Sequence, residues 1–235
     1  MSLEASALPA PTDQPMDTAA RTGAVSLGVV AFLTTGVMPI LLGGLSDMHR
    51  ITVPQIGLAA TSEALAMGLV AGLAGLFIKP RRLRSIGLVA VPMLAALDIL
   101  MPHAAGVGVI LVRALSGVLE GVLLWMLVGG MIVRTAAPAR WFGILFMAAT
   151  SLQLLLSTIL ETLIFPAFGL DDGFYFLGAI RLLGIFAVLL APNGYDPLPH
   201  EAEHGAANPP PRGWIALAAA LLFIAAGACV SVFLV

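Results

Sequence analysis

The chain has 235 residues, of which 60% are apolar and only 10% are charged, with a formal net charge of −2. Soluble domains carry roughly 25% charged residues, so this composition cannot build a water-facing exterior, and a soluble enzyme or a nucleic-acid binder is excluded. What remains is an all-α polytopic membrane protein whose first partner is the lipid bilayer. In chain order, residues 1–22 hold Pro9, Pro11, Pro15 and three acids and read as a disordered tail rather than a cleaved leader, which would need a basic start and a short apolar core. A hydrocarbon core about 30 Å thick takes about 20 residues of helix, and seven apolar runs approach that length: 23–46, 53–78, 85–102, 107–133, 141–166, 174–190 and 214–235.

The connections between these runs are short and alternate in charge. Lys79, Arg81, Arg82 and Arg84 follow the second run, Arg134 and Arg140 the fourth, and Arg212 the sixth; with Arg21 in the tail, eight of the eleven basic residues fall on one side. Arg50 alone falls on the other, where the fifth connection, GLDDG, is acidic, and Arg113 and Arg181 lie inside runs. Basic connections stay in the cytoplasm, so the amino terminus and the basic loop are predicted inside and Val235 outside, in the inner or plasma membrane. The sixth connection, 191–213, is long and proline-rich and reads as a cytoplasmic hinge. It separates a six-helix unit, 23–190, from a seventh helix, 214–235, which looks like the first of an incomplete second bundle.

Several intramembrane residues stand out. Arg113 and Glu120 are seven positions apart, two helical turns, which puts them on one face about 10 Å apart with Gly117 and Gly121 beside them. Charges inside a bilayer are costly unless paired or hydrated, which marks them as functional candidates. Asp98 and Arg113 lie at similar depth below the outer surface and could pair, and Glu161 and Arg181 are expected to form a structural ion pair beneath the acidic loop. Glu63 has no evident basic neighbour; it reads either as a proton-accepting group or as a partner of a nearby hydroxyl. Ala60, Ala64, Gly68 and Gly72 form a small-residue stripe suited to close helix packing or to sliding. Ser151 and Thr158 share a face, either lining a polar cavity or bonding back to their own helix.

Other chemistries are weak or absent. Cys229 is single and sits in an apolar run, so no disulfide or thiolate metal site is expected. The run His200-Glu201-Ala202-Glu203-His204 matches a zinc-protease spacing, but Pro199, Gly205 and three further prolines prevent the helix that the chemistry requires. No span carries the lysine a retinal Schiff base needs, and no phosphate-binding glycine loop is present. No cofactor and no metal is expected, and the chain does not read as an enzyme.

Six helices, a proline-rich hinge and the start of a second bundle resemble the amino-terminal half of a major facilitator superfamily (MFS) transporter. The fourth run, with Arg113 followed four residues later by Gly117 and then by Gly121, is similar to a motif of that family, and the GVMPILLGGLSD and TVPQIGLAATSEALAMGLVAGLAG segments look like its paired entry helices. The loop after the second run keeps the family's basic cluster, with Ile78, Lys79 and Pro80 where an acid is usual. The resemblance implies secondary-active transport of a small solute by alternating access; the three ionisable groups within spans, Glu63, Arg113 and Glu120, are in addition expected to form a set that couples it to H⁺. It also implies a cavity lined by the first, second, fourth and fifth helices, with the third and sixth peripheral; Glu63, Met67, Arg113, Glu120, Ser151 and Thr158 are expected on its side because exposed charge has no tolerable place against lipid. On this reading a missing carboxy-terminal half or a second copy completes the transporter; the alternative is a non-transporting membrane interaction module or a degenerate remnant.

Overall fold

The computed structural model describes residues 17–77, 81–135 and 137–195. The hinge beyond Tyr195, the seventh helix, Lys79 and the His200–His204 run lie outside the described residues. Those that are described form helices, apart from turns, connections and one isolated bridge between Arg81 and Gly194. In order they are α1 (Thr18–Phe32), α2 (Met38–Asp47), α3 (Val53–Phe77), α4 (Leu83–Leu100), α5 (Val107–Trp125), α6 (Pro138–Ile159), α7 (Phe165–Phe168), α8 (Leu170–Leu182) and α9 (Gly184–Leu190).

Among the described residues, five helical units are long and apolar enough to cross a membrane: Val53–Ala74, Leu83–His103, Val107–Arg134, Pro138–Phe168 and Leu170–Leu190. These match the second to sixth runs read from the sequence. The surface agrees with a bilayer as solvent, because Val89, Leu111, Leu115, Met147, Leu154 and Phe186 are all more than half exposed whereas Glu63, Asp98, Arg113, Glu120 and Arg181 are buried. The protein is therefore all-helical and membrane-embedded.

The first run departs from expectation. Instead of one helix over 23–46, α1 begins at Thr18, inside the segment read as a tail, and ends at Phe32; a turn over residues 33–37 then leads to α2. The sequence explains the break: Thr34, Thr35 and Gly36 are weak helix formers, and Pro39 sits in the first turn of α2, where its missing N–H is harmless. Within the turn the bonds shorten to three-residue spacing, Thr35 N to Phe32 O at 3.2 Å and Val37 N to Thr34 O at 3.0 Å. The amide of Gln153, from α6, donates to the Phe32 carbonyl at 2.5 Å and so satisfies part of the backbone that the break releases.

Two other units change helix type midway. α5 continues through a π-helical stretch, Met126–Met131, and α6 through another, Leu160–Ile164. Arg134 reaches back to the first of these, donating to the carbonyls of Gly129 and Gly130 at 2.5 and 2.9 Å.

α3 and α5 pack backbone to backbone. A Cβ on Gly117 would overlap the Glu63 carbonyl oxygen, and one on Gly121 would stand 2.6 Å from that of Met67. The row of α3 that meets these glycines is Glu63, Met67 and Ala71, one position round from the stripe read in the sequence. Ala60, Ala64 and Gly68 are only half-buried and Gly72 is exposed. Close approach is thus set by the glycines of α5.

At one end of the bundle Arg50 forks onto Asp171 at 2.8 and 3.0 Å and donates to the Pro102 carbonyl at 2.7 Å, tying three connections together. At the other, Leu83 N donates to Asn193 O at 3.0 Å and Arg84 Nε to Ala191 O at 2.8 Å, fastening the segment after α9 to the start of α4. Gly117→Val should lower unfolding stability in micelles by about 1–3 kcal/mol or more, because the α3 backbone cannot yield. Gly143→Ala, where a Cβ meets nothing within 4 Å and which lies inside α6, should instead raise stability by up to about 1 kcal/mol, because alanine is the better helix former; thermal unfolding followed by circular dichroism measures both signs.

Candidate functional site

Four helices and the break in the first run bring five ionisable side chains to one place. α3 supplies Glu63, α4 Asp98, α5 both Arg113 and Glu120, and α8 Arg181, with Thr34 entering from the break. All are buried: Glu63 is 6% exposed, Asp98 and Arg113 1%, and Glu120, Arg181 and Thr34 0%.

They form a row of alternating sign. Arg113 forks onto Glu63, Nε to Oε2 at 2.9 Å and Nη2 to Oε1. Its Nη1 lies 3.8 Å from Asp98 Oδ1, and the other oxygen of Asp98 lies 3.3 Å from Arg181 Nε. Arg181 Nη2 then donates to Glu120 Oε1 at 2.9 Å. The sequence of charges is Glu63, Arg113, Asp98, Arg181, Glu120. At its centre the Thr34 hydroxyl accepts from Arg113 at 3.2 Å and from Arg181 at 2.8 Å, and donates to Glu120 at 3.0 Å. Thr34 therefore uses both lone pairs and its one proton.

Two features follow from the chemistry. Three carboxylates face two guanidiniums, so the fully ionised row carries one uncompensated negative charge in a space where isolated charge is costly. The row is also incompletely bonded: Glu120 Oε2, Ser116 Oγ and Arg181 Nη1 are buried without a hydrogen-bond partner. A proton on one carboxyl would remove the excess charge.

The structure redraws several pairings. Asp98 and Arg113 approach as their depths suggested. Glu63, expected to lack a basic neighbour, is the main partner of Arg113. The Glu161 and Arg181 pair does not form; Glu161 is exposed on the π-helical stretch beside Asp47 and Phe165, and Arg181 turns inward to Asp98 and Glu120. Matching depth could not reveal that difference, because depth says nothing of rotation about the helix axis. Ser151 and Thr158 are exposed, away from the row, and the Thr158 hydroxyl donates to Leu154 O of its own helix at 2.9 Å. The third and sixth helices are not peripheral to the charges, since they bring Asp98 and Arg181 to the centre. Nor do Arg113 and Glu120 line an open polar face; they are sealed inside. Arg81 and Arg82 are exposed at the entrance to α4.

Thr34 and Gln153 escaped the sequence reading. The available signal was the Thr-Thr-Gly step followed by Pro39 within an apolar run, which marks a break in a membrane helix. Among the described residues no group of His, Cys, Asp and Glu is arranged to hold a metal ion. Comparison with protein-family models, characterised proteins and solved structures finds no match.

Arg181→Met should destabilise the protein by about 3–5 kcal/mol, because Asp98 and Glu120 then face each other without their shared cation. Adding Glu120→Met should recover much of that loss, since an apolar pair of similar volume replaces a buried ionic one; denaturant unfolding in micelles of the two variants checks both signs.

Proposed function

We propose that this chain carries out secondary-active transport of a small solute across the inner or plasma membrane by alternating access, coupled to H⁺, as a six-helix MFS-type unit. The observation that carries this reading is the buried row with three carboxylates and two guanidiniums, built around a break in the first span. Stable burial of that row calls for one proton, and binding or releasing it changes which acid each arginine holds. Thr34 contacts both arginines from within the break, so a change in proton occupancy bears directly on the part of the first span least held by regular hydrogen bonds. Interrupted helices near the midplane are where secondary transporters commonly place substrate and coupling-ion sites. In this reading the amino terminus and the basic loops lie in the cytoplasm.

A second reading is favoured by one observation. The charged row is sealed within the bundle rather than spread along an open groove, as suits a non-transporting membrane interaction module whose ion pairs only fix helix register.

The two readings separate in liposomes containing the full chain and an internal pH indicator. Gradients of sugars, organic acids, amino acids and organic cations are imposed in turn. Transport predicts solute-driven proton movement with one of these classes, and its loss in Glu63→Gln and Glu120→Gln while solute exchange persists. Proton-neutral behaviour with every class supports the module, and variants that still concentrate solute against its gradient overturn the proton role.

A further inference from the structure

We propose a specific site for an anionic phospholipid on the face shared by α4 and α5. A groove of about 530 Å³ lies open there, with Val89, Leu119 and Val122 on its apolar wall and Arg81, Arg82 and Ser85 at its mouth. The side chain of Val89 is 59% exposed, which places the wall at the lipid-facing surface. Arg81 and Arg82 are exposed, and among the described residues neither guanidinium has a carboxylate partner.

The geometry fits one occupant. A phospholipid acyl chain lies along the apolar wall while its phosphate meets two guanidiniums, whose planar donors match phosphate oxygens in pairs. In a bilayer the tail gains little from the groove, since surrounding tails are equally apolar. The wall therefore sets position and the arginines set selectivity for negative charge. Arg82 adds a second indication. It holds a left-handed backbone conformation, φ 60°, which side chains other than glycine and asparagine adopt at a penalty. That conformation starts α4 just beyond the bridge between Arg81 and Gly194, so the backbone of both arginines is fixed beside the groove. A neutral phosphatidylcholine offers the same phosphate capped by a cation and loses the charge complementarity. This site is independent of any transport activity.

The test is native mass spectrometry of the full chain in a non-ionic detergent, titrated with dioleoylphosphatidylglycerol or dioleoylphosphatidylcholine, each with and without inorganic phosphate as competitor. The expected result is at least tenfold tighter binding of the phosphatidylglycerol, consistent with about fivefold per basic residue at an anionic headgroup. Arg81→Gln with Arg82→Asn should weaken it about 25-fold and leave phosphatidylcholine unchanged. Val89→Trp, which fills the groove with both arginines intact, should weaken phosphatidylglycerol by a similar factor. All three positions are exposed, and Arg82→Asn alone, which suits the left-handed backbone, provides the test with about a fivefold loss if the double variant does not fold. Equal binding of the two lipids, or phosphatidylglycerol binding untouched by both the arginine and the groove variants, overturns the proposal. So does complete displacement by millimolar phosphate, which would assign the arginines to a free anion.

Discussion

Two guanidiniums and three carboxylates share a buried space, and the rest of the bundle is arranged so that each of them lies beside a group of opposite sign. In the row from Glu63 to Glu120, each of the three inner members has the opposite sign on both sides. Moving any one of α3, α4, α5 or α8 by a turn would leave a neighbour uncompensated. Such a network adds little stability over a well-packed apolar core of the same shape. Its effect here is to set the register and rotation of four helices that, being apolar on nearly every side, could otherwise pack in several ways.

The first span is shaped by the same row. Thr34 reaches both arginines and Glu120, and the chain around it leaves regular α-helical bonding over residues 33–37. Backbone released at that depth has no water to turn to, and at the Phe32 carbonyl Gln153 of α6 adds a second donor to that of Thr35 N. The break thus connects the charged centre to the one long helix, α6, that contributes no charge to it. For a transporter this is the segment whose geometry would respond most directly to proton occupancy of the row.

The ends of the bundle are closed by different means. Arg50 gathers Asp171 and the Pro102 carbonyl at one end. At the other, Tyr195 packs against Gly130 beneath the Arg134 guanidinium, 5.4 Å from the ring centre. Burial pushes the Tyr195 phenol well above its ordinary value, against the opposing pull of Arg134, so it remains a neutral hydroxyl. With the bonds from Leu83 and Arg84 to residues 191–193, this clasp holds residues 191–195 against the bundle.

Composition and hydrophobic run length determined the solvent this chain lives in, the five long helices from Val53 to Leu190, and the presence of charges within them. Helical periodicity placed Arg113 and Glu120 on a common inward face, since seven residues return almost to the same angle. These are properties of single segments and can be read from one segment at a time. The partners were decided elsewhere. Glu63 meets Arg113, and Arg181 leaves Glu161 for Asp98 and Glu120, because glycines on α5 let α3 approach closely and because α4 and α8 turn toward the centre. Depth along each helix is written in the sequence, but rotation about each axis is settled only when all the helices pack and every buried charge must find its opposite. The break at Thr34 belongs to the tertiary structure for the same reason: a weak helix signal in an apolar run becomes a turn only where neighbouring side chains can satisfy the backbone it frees.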